Sequence, residues 1–183
     1  MDAYHVLMVH FPVALWMTSA LAILLRVFSD GPLARAVDSA LVALLSISLL
    51  SGIVAFSIGL MVWPLETISA SALARNHVLL ASWTVSHWAI ILFVRWRRGA
   101  AVWQGVTRWI MAVLALLGSA MLAITATLGG HLSGIYSEVS TLLSLVGWEV
   151  YKTHYVPDAG LAAFGIIVIL LLTLAVWSRS KLR

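Results

Sequence analysis

The stretch IMAVLALLGSAMLAITATL, which runs from Ile110 to Leu128, decides the class of fold. Its 19 residues include no charged side chain, and a helix of that length rises about 28 Å, close to the hydrocarbon thickness of a bilayer. The whole chain has the same character, because 62% of its 183 residues are hydrophobic and only 10% are charged. Soluble domains carry about 25% charged residues, so a soluble enzyme, a nucleic-acid-binding module and a disordered tail are excluded.

Four more apolar runs of similar length accompany this one. They cover His5–Phe28, Ala40–Trp63, His77–Val94 and Ala159–Trp177, and turn-forming or polar residues separate them. We therefore expect an all-α integral membrane protein with five transmembrane helices, four of which form a bundle core. The start of the chain lacks the basic residues of a cleavable signal peptide, so the first run should remain as an anchor. We detect no internal repeat and no linker, which favours a single transmembrane domain over residues 1–183.

The basic residues lie mostly on one side of this predicted bundle. Nine arginines and lysines fall at the ends and connections of that side, and only Arg75 and Lys152 fall on the other. The positive-inside rule then places the amino terminus outside and the carboxyl terminus in the cytoplasm. We expect a multi-pass protein of the bacterial inner membrane, whose positive charge serves topology and contact with anionic lipid rather than nucleic acid.

The connection from Gly129 to Pro157 is the longest one on the outer side. Apolar residues recur in it at helical spacing, at Ile135, Val139, Leu142, Val146 and Val150. The pattern predicts an amphipathic helix that lies in the outer interface or covers the bundle as a lid. A plain connecting helix remains the alternative.

The six histidines are the main chemical signal, because an ionisable side chain inside a membrane is costly and by default functional. Under the predicted topology none of them lies in the inner half of a span. Three histidines reach a similar outer depth from three different helices, and we expect them to share a haem or metal site: His10, His77 and His131.

Two further histidines are candidate ligands with competing structural roles. His87 would bind a cofactor, or its ring would bond to Ser86 or to a backbone carbonyl. His5, like His154, would act as a ligand or would sit exposed at the interface. His5 and His10 lie about 140° apart around a helix, so both cannot face one ligand squarely.

Haem b is the first cofactor that this set suggests. Its iron is held by imidazoles from separate helices, and its edge packs against aromatic and aliphatic side chains. We expect one haem near the outer face, with His87 and His5 as the histidines left for a second. Arg75 and Lys152 are the cations placed to meet haem propionates. The absence of cysteine excludes c-type haem attachment and thiolate metal sites.

The aromatic and small residues fit this interpretation without requiring it. Gly52, Gly59 and Gly118 would let a porphyrin lie against a helix, or would serve close helix–helix contact. Four aromatic residues are expected to line a cofactor cavity: Trp16, Trp83, Trp88 and Phe11. The other tryptophans are expected in interfacial belts: Trp63, Trp96, Trp103, Trp109 and Trp177. Asp38 and Glu66 lie at span ends, where we expect solvated side chains.

The run His5-Val-Leu-Met-Val-His10-Phe-Pro-Val-Ala-Leu15 resembles the opening span of a bacterial integral membrane family, the domain of unknown function 2231 type. That family carries H-x4-H-F-P-[IV]-[AG]-L. Leu128-Gly-Gly-His131-Leu-Ser-Gly-Ile-Tyr136 is similar to its Gly-Gly segment, and Asn76-His77 to the polar start of its third span. The resemblance covers roughly residues 4–136, and Ser133 and Ser137-Glu138 depart from it. It implies a four-helix core similar to that of di-haem b-type cytochromes, with a haem or redox role.

The spacing of the histidines favours one haem over two. His77 and His87 are about 2.8 turns apart, whereas di-haem proteins carry paired histidines about four turns apart on partner helices. We therefore expect a small b-type cytochrome subunit that relays electrons between an extracytoplasmic redox partner and quinone or a neighbouring redox subunit.

Two other functions stay open at this point. One is a cofactor-free accessory or assembly subunit of a larger membrane complex, held to its partners by small-residue helix faces. The other is an outer-face copper or zinc site formed by His10, His77 and His131. Since the sequence carries no catalytic triad, P-loop or Rossmann fingerprint, we expect no enzyme activity from this chain alone. It would instead serve as one subunit of a membrane oxidoreductase.

Overall fold

The computed structural model describes residues 2–154 and 158–180, and every regular element in these residues is a helix. In chain order the elements are α1 (Asp2–Phe28), α2 (Pro32–Val62), α3 (Leu65–Ala70), α4 (Ala72–Arg98), a 3-10 turn (Gly99–Trp103), α5 (Gly105–Leu132), α6 (Glu138–Leu145) and α7 (Asp158–Ser180). Helices α1, α2, α4 and α5 are long and apolar enough to cross a membrane, whereas the apolar part of α7, Ala162–Leu174, is shorter. The prediction of an all-helical chain is confirmed, and four of the predicted spans correspond to helices of spanning length.

The four long helices form a ring in the order α1, α2, α4, α5. Helix α1 packs against α2 and α5, and α4 packs against α5 and α2, so α1 and α4 lie diagonally across the bundle. The core between them consists of large apolar side chains, among them Ile23, Leu41, Trp88 and Met111. Helix α3 packs on α4 and helix α7 packs on α5, so both lie outside this ring.

The two diagonal helices carry the same sequence pattern. His5-Val6-Leu7 in α1 is followed by Trp16, and His77-Val78-Leu79 in α4 is followed at the same spacing by Trp88. Trp16 and Trp88 stack on each other, with ring centroids 5.9 Å apart and ring planes 12° apart. This match and the order of the helices in the ring pair the α1–α2 hairpin with the α4–α5 hairpin, an arrangement that we call the two-fold relation. The few shared residues are too widely spaced to stand out as a repeat in the sequence.

Charged side chains close the end of the bundle where α1 ends and α2 begins. Asp38 of α2 is buried, and Arg95 of α4 binds it with 2.9 Å between Arg95 Nη2 and Asp38 Oδ1. Trp103 is buried beside this pair, with the guanidinium carbons of Arg26 and Arg95 at 5.7 and 5.8 Å from its ring centroid. Two sequence predictions are therefore wrong: Asp38 is not solvated, and Trp103 does not belong to an interfacial belt. Buried charge needs a counter-ion from another helix, and the local sequence does not reveal that partner.

Asp30, in the connection between α1 and α2, forms an exposed counterpart of this pair. Its carboxylate accepts hydrogen bonds from Arg26 and, at 3.0 Å, from Arg108 of α5. These two bonds, that from Arg26 above all, hold the pKa of Asp30 below its usual value. Such exposed pairs contribute little to stability, so the buried pair is the one that matters for the fold.

The segment predicted to form an outer amphipathic helix contains a short helix, α6. Helix α6 covers only Glu138–Leu145, because Gly134 and Gly147 adopt positive φ angles of 76° and 83° that interrupt the helix on either side. Leu143 of α6 is buried, while Leu142 and Leu145 are exposed. The apolar pattern thus identified a helix but overestimated its length.

Replacing Asp38 by alanine should lower the free energy of unfolding by about 3–5 kcal/mol, because it leaves Arg95 buried without its counter-ion. Replacing the exposed Asp30 by asparagine is the matched control and should change the stability much less. Thermal unfolding in detergent, followed by tryptophan fluorescence, measures both effects. Equal losses in the two variants would contradict a structural role for the buried pair.

Candidate cofactor site

A cavity of about 600 Å³ lies between α1, α2, α4 and α5, in the half of the bundle where α1 begins. This volume is in the usual range of sites for small molecules and cofactors, roughly 300–1,000 Å³. Most of the wall is aliphatic or glycine. The polar side chains in it include His5, His10, His77, Thr84 and Thr125.

The wall of this cavity repeats on the two hairpins. On the diagonal helices, five positions of α1 and the corresponding positions of α4 both line it: His5 and His77, Val6 and Val78, Val9 and Ala81, Pro12 and Thr84, Val13 and Val85. The carboxyl-terminal parts of α2 and α5 and the residue after each contribute seven more pairs: Gly52 and Leu122, Ala55 and Thr125, Phe56 and Ala126, Gly59 and Gly129, Leu60 and Gly130, Val62 and Leu132, Trp63 and Ser133. Matching positions of the two hairpins therefore line the cavity together.

His5 and His77 occupy equivalent places in this wall. Nδ1 of His5 lies 3.1 Å from the carbonyl oxygen of Ala55, and Nδ1 of His77 lies 3.1 Å from that of Thr125. A carbonyl oxygen only accepts hydrogen bonds, so both rings carry their proton on Nδ1 and their lone pair on Nε2. The two hairpins thus prepare two imidazoles in the same tautomer.

Each of these rings lies where a glycine on the neighbouring helix leaves room for it. A Cβ on Gly59 would come within 2.7 Å of His5 Cε1, and a Cβ on Gly129 within 2.9 Å of His77 Cε1. Both glycines lie four residues after the carbonyl that accepts the ring N–H. In both hairpins, the lack of a side chain at the glycine therefore lets the imidazole reach the backbone of the neighbouring helix.

His87 repeats this contact deeper in α4, but outside the lining of the cavity. Its Nε2 lies 2.8 Å from the carbonyl oxygen of Leu114, four residues before Gly118. A Cβ on Gly118 would come within 2.9 Å of His87 Cδ2. The ring is buried and hydrogen-bonded to a backbone carbonyl. This is the structural role that the sequence suggests for His87 as the alternative to cofactor binding.

The three histidines predicted to share one site are divided by the structure. His10 and His77 line the cavity, and His131 is absent from its lining. His131 is buried elsewhere, with Nδ1 at 2.9 Å from the Tyr151 hydroxyl and its ring edge-to-face with Tyr136. Within residues 2–154 and 158–180, no group of three or more potential metal-ligating side chains is close enough to hold an ion.

The predicted propionate partners also lie away from the cavity wall. The Arg75 guanidinium donates to the backbone carbonyl of His154, and Lys152 is exposed. Neither cation, nor His154 itself, lines the cavity. Their role toward a haem therefore stays a prediction.

Among the aromatic residues predicted to line a cofactor cavity, Trp16 does so. Trp88 stacks on Trp16 but lies outside the lining and is fully buried. Phe11 and Trp83 are exposed on the outer surfaces of their helices. The rotation of each helix about its own axis turns some of these residues toward the cavity and others away from it. The sequence alone does not specify that rotation.

The Gly-Gly segment after Leu128 has a structural explanation at the rim of the cavity. Gly129 makes room for His77, and a Cβ on Gly130 would approach the carbonyl oxygen of Ile135 to 3.2 Å. Helix α5 ends in a Schellman turn, in which the Ile135 amide donates to the Gly130 carbonyl at 2.8 Å and Gly134 adopts the positive φ angle. The glycines of this segment therefore shape the cavity and end the helix.

Replacing Gly129 or Gly59 by alanine should push the adjacent imidazole off its carbonyl and cost about 1–3 kcal/mol of stability through overpacking. Gly165→Ala in α7 is the matched control, since nothing lies within 4 Å of the added Cβ. Imidazole ¹⁵N chemical shifts of histidine-labelled protein report the tautomer, and thermal unfolding reports the stability. An unchanged tautomer and an unchanged stability in Gly129→Ala would contradict the contact.

Comparisons with known proteins suggest no function, so the geometry of the cavity is the basis for proposing one. The chain finds no significant match among protein-family models, curated proteins or solved structures. The family resemblance of the first span therefore stays a prediction. The residues that line the cavity are the basis on which a chemical function is proposed.

Proposed function

We propose that the chain is a b-type haem-binding membrane subunit, in which His5 and His77 would hold one haem. The observation that carries the proposal is the pair of equivalent imidazoles that line one cavity from diagonal helices. Metal-bound histidines use their lone-pair nitrogen and almost always donate the other N–H to a carbonyl, a carboxylate or water. The Nδ1–H bonds to Ala55 and Thr125 provide this arrangement, with Nε2 as the ligand atom.

The rest of the cavity also suits a flat, largely apolar group. Four-helix bundles hold cofactors between facing helices, and a volume of about 600 Å³ with an aliphatic and glycine wall supports such a use. When bound, the haem supplies one-electron chemistry. A haem held by two imidazoles would serve electron transfer rather than substrate turnover.

The chain's own contribution is to hold and orient the two ligands. The carbonyls of Ala55 and Thr125 fix the tautomer of His5 and His77, and mostly apolar side chains surround the two rings in the cavity wall. His87, bound to Leu114, joins α4 to α5 instead of serving as a ligand. One haem, rather than two, therefore fits the arrangement.

The proposal includes a position in the bacterial inner membrane. The basic residues at the end that contains Asp38 support a cytoplasmic location for that end and an outer location for the amino terminus and the cavity. Helix α7 has 23 residues and a length of about 34 Å, which supports its role as the fifth span of a single transmembrane domain. Exposed Leu142 and Leu145 support an interfacial position for α6 as a lid.

In this position the subunit relays electrons between an extracytoplasmic redox partner and quinone or a neighbouring redox subunit. The contact surface with membrane lipid is the apolar outer face of the bundle, where Leu21, Leu50 and Leu116 are exposed. The resemblance of the first span to the domain of unknown function 2231 type agrees with this proposal, because both histidines of its motif, His5 and His10, lie in the cavity wall.

After haem-replete expression, the purified protein should give a Soret band and a pyridine haemochrome equivalent to one haem b per chain. His5→Ala or His77→Ala should remove the haem or convert its low-spin spectrum to a high-spin one, because one axial ligand is missing. His131→Ala and His154→Ala are matched controls outside the cavity and should keep the low-spin spectrum. His87→Ala should also keep it, with a lower unfolding temperature.

The same preparation distinguishes the other functions. A wild-type spectrum without a Soret band would overturn the haem proposal. Stoichiometric copper or zinc in that case, lost on His5→Ala or His77→Ala, would favour the metal site. Absence of both haem and metal, together with a co-purifying membrane partner, would favour the accessory subunit.

A further inference from the structure

Among the ionisable side chains in the described cavity wall, His10 departs from the two-fold relation, because its counterpart on the other hairpin does not line the cavity. Its counterpart on α4 is Ser82, which does not line the cavity and donates its hydroxyl to the Leu79 carbonyl at 2.7 Å. The neighbouring positions of α1 that line the cavity between His5 and Val13 each have a lining counterpart on α4. The repeated architecture therefore does not account for an imidazole at this position.

The ring of His10 is prepared as a hydrogen-bond acceptor. Its Nδ1 lies 2.6 Å from the carbonyl oxygen of Val6, one turn earlier in α1, so the proton is on Nδ1 and the lone pair on Nε2. His10 lies about 140° around the helix from His5, so it does not approach a ligand from the same direction. His10 is therefore available for a different partner from the one that His5 and His77 hold.

The surroundings of His10 indicate what kind of partner it would bind. His10 is exposed although it lies about 7–8 Å further along α1 than His5, within the segment of spanning length. An ionisable side chain at such a depth is costly and by default functional. The cavity wall around it is mostly apolar, so a suitable ligand is largely apolar and offers a hydrogen-bond donor to Nε2.

We propose that the cavity also receives the headgroup of a lipid-soluble quinol, one hydroxyl of which donates a hydrogen bond to His10 Nε2. The apolar side chains Val9 and Val13 on either side of His10 provide the wall for the quinol ring. The oxidised quinone presents only carbonyl oxygens, which accept hydrogen bonds and cannot donate to Nε2. The site therefore binds the reduced form more tightly. This inference rests on the proposed function, in which quinone is one of the partners of the electron relay.

Binding of decylubiquinol and decylubiquinone to the haem-loaded full chain in lipid nanodiscs tests the proposal. The quinol is titrated against the dithionite-reduced protein and the quinone against the oxidised protein, so no electron transfer occurs, and tryptophan fluorescence reports binding. We expect the quinol to bind at least tenfold more tightly than the quinone. His10→Leu should abolish this preference by weakening quinol binding alone.

Two further variants control the measurement. Ser82→Ala changes the two-fold counterpart of His10 and should leave both affinities unchanged. His10→Gln supplies an amide oxygen that accepts a hydrogen bond, and it should restore part of the preference for quinol.

The outcomes separate this site from the haem proposal. Equal quinol affinity of the wild type and His10→Leu, at equal haem content, would overturn the quinol site and leave the haem assignment intact. Loss of haem from His10→Leu would identify His10 as an iron ligand and would also overturn it. A wild-type protein without haem would overturn the proposed function itself, and this inference with it.

Discussion

The cavity depends on one contact, in which an imidazole N–H reaches a helix carbonyl through the gap left by a glycine. A single neutral hydrogen bond of this kind contributes only about 0.5–1.5 kcal/mol, so its importance is geometric. It sets which nitrogen carries the proton, it fixes the ring against the neighbouring helix, and it requires the two backbones to lie close together. The chain uses it at His5, His77 and His87, and the first two instances face one shared cavity.

The two-fold relation explains why those two rings are equivalent. Hairpins α1–α2 and α4–α5 place the same elements at the same height: a histidine near the helix start, a tryptophan three turns below, and a glycine opposite the histidine. Trp16, which stacks on Trp88, lines the cavity, and Gly59 and Gly129 leave room for the two imidazole rings. Two copies of one simple hairpin thus produce a central site that neither copy contains alone.

Much of the fold could be predicted from the apolar runs, because hydrocarbon thickness sets the length of a spanning helix. Sequence alone could not specify the rotation of each helix about its own axis. His10, His77 and His131 were grouped by depth, yet His131 lies on another face of α5, and His5 replaces it in the cavity. Comparison of the chain with itself at an offset of 72 residues was the signal that would have paired His5 with His77. The sequence gives no comparable signal for the ion pair between Asp38 and Arg95, because the residues around one do not match those around the other. The two side chains come together only when α2 packs against α4.

The buried ion pair between α2 and α4 has a consequence for biogenesis. Chains are synthesised from the amino terminus, so the first hairpin, with Asp38 close to Arg26, is complete before α4 leaves the ribosome. Arg95 then enters the membrane beside a carboxylate that is already in place, and the desolvation of its guanidinium is offset as the two halves dock. Until the second hairpin docks, Arg95 lacks its partner on α2, so the ion pair links completion of the fold to the correct meeting of the two halves of the bundle.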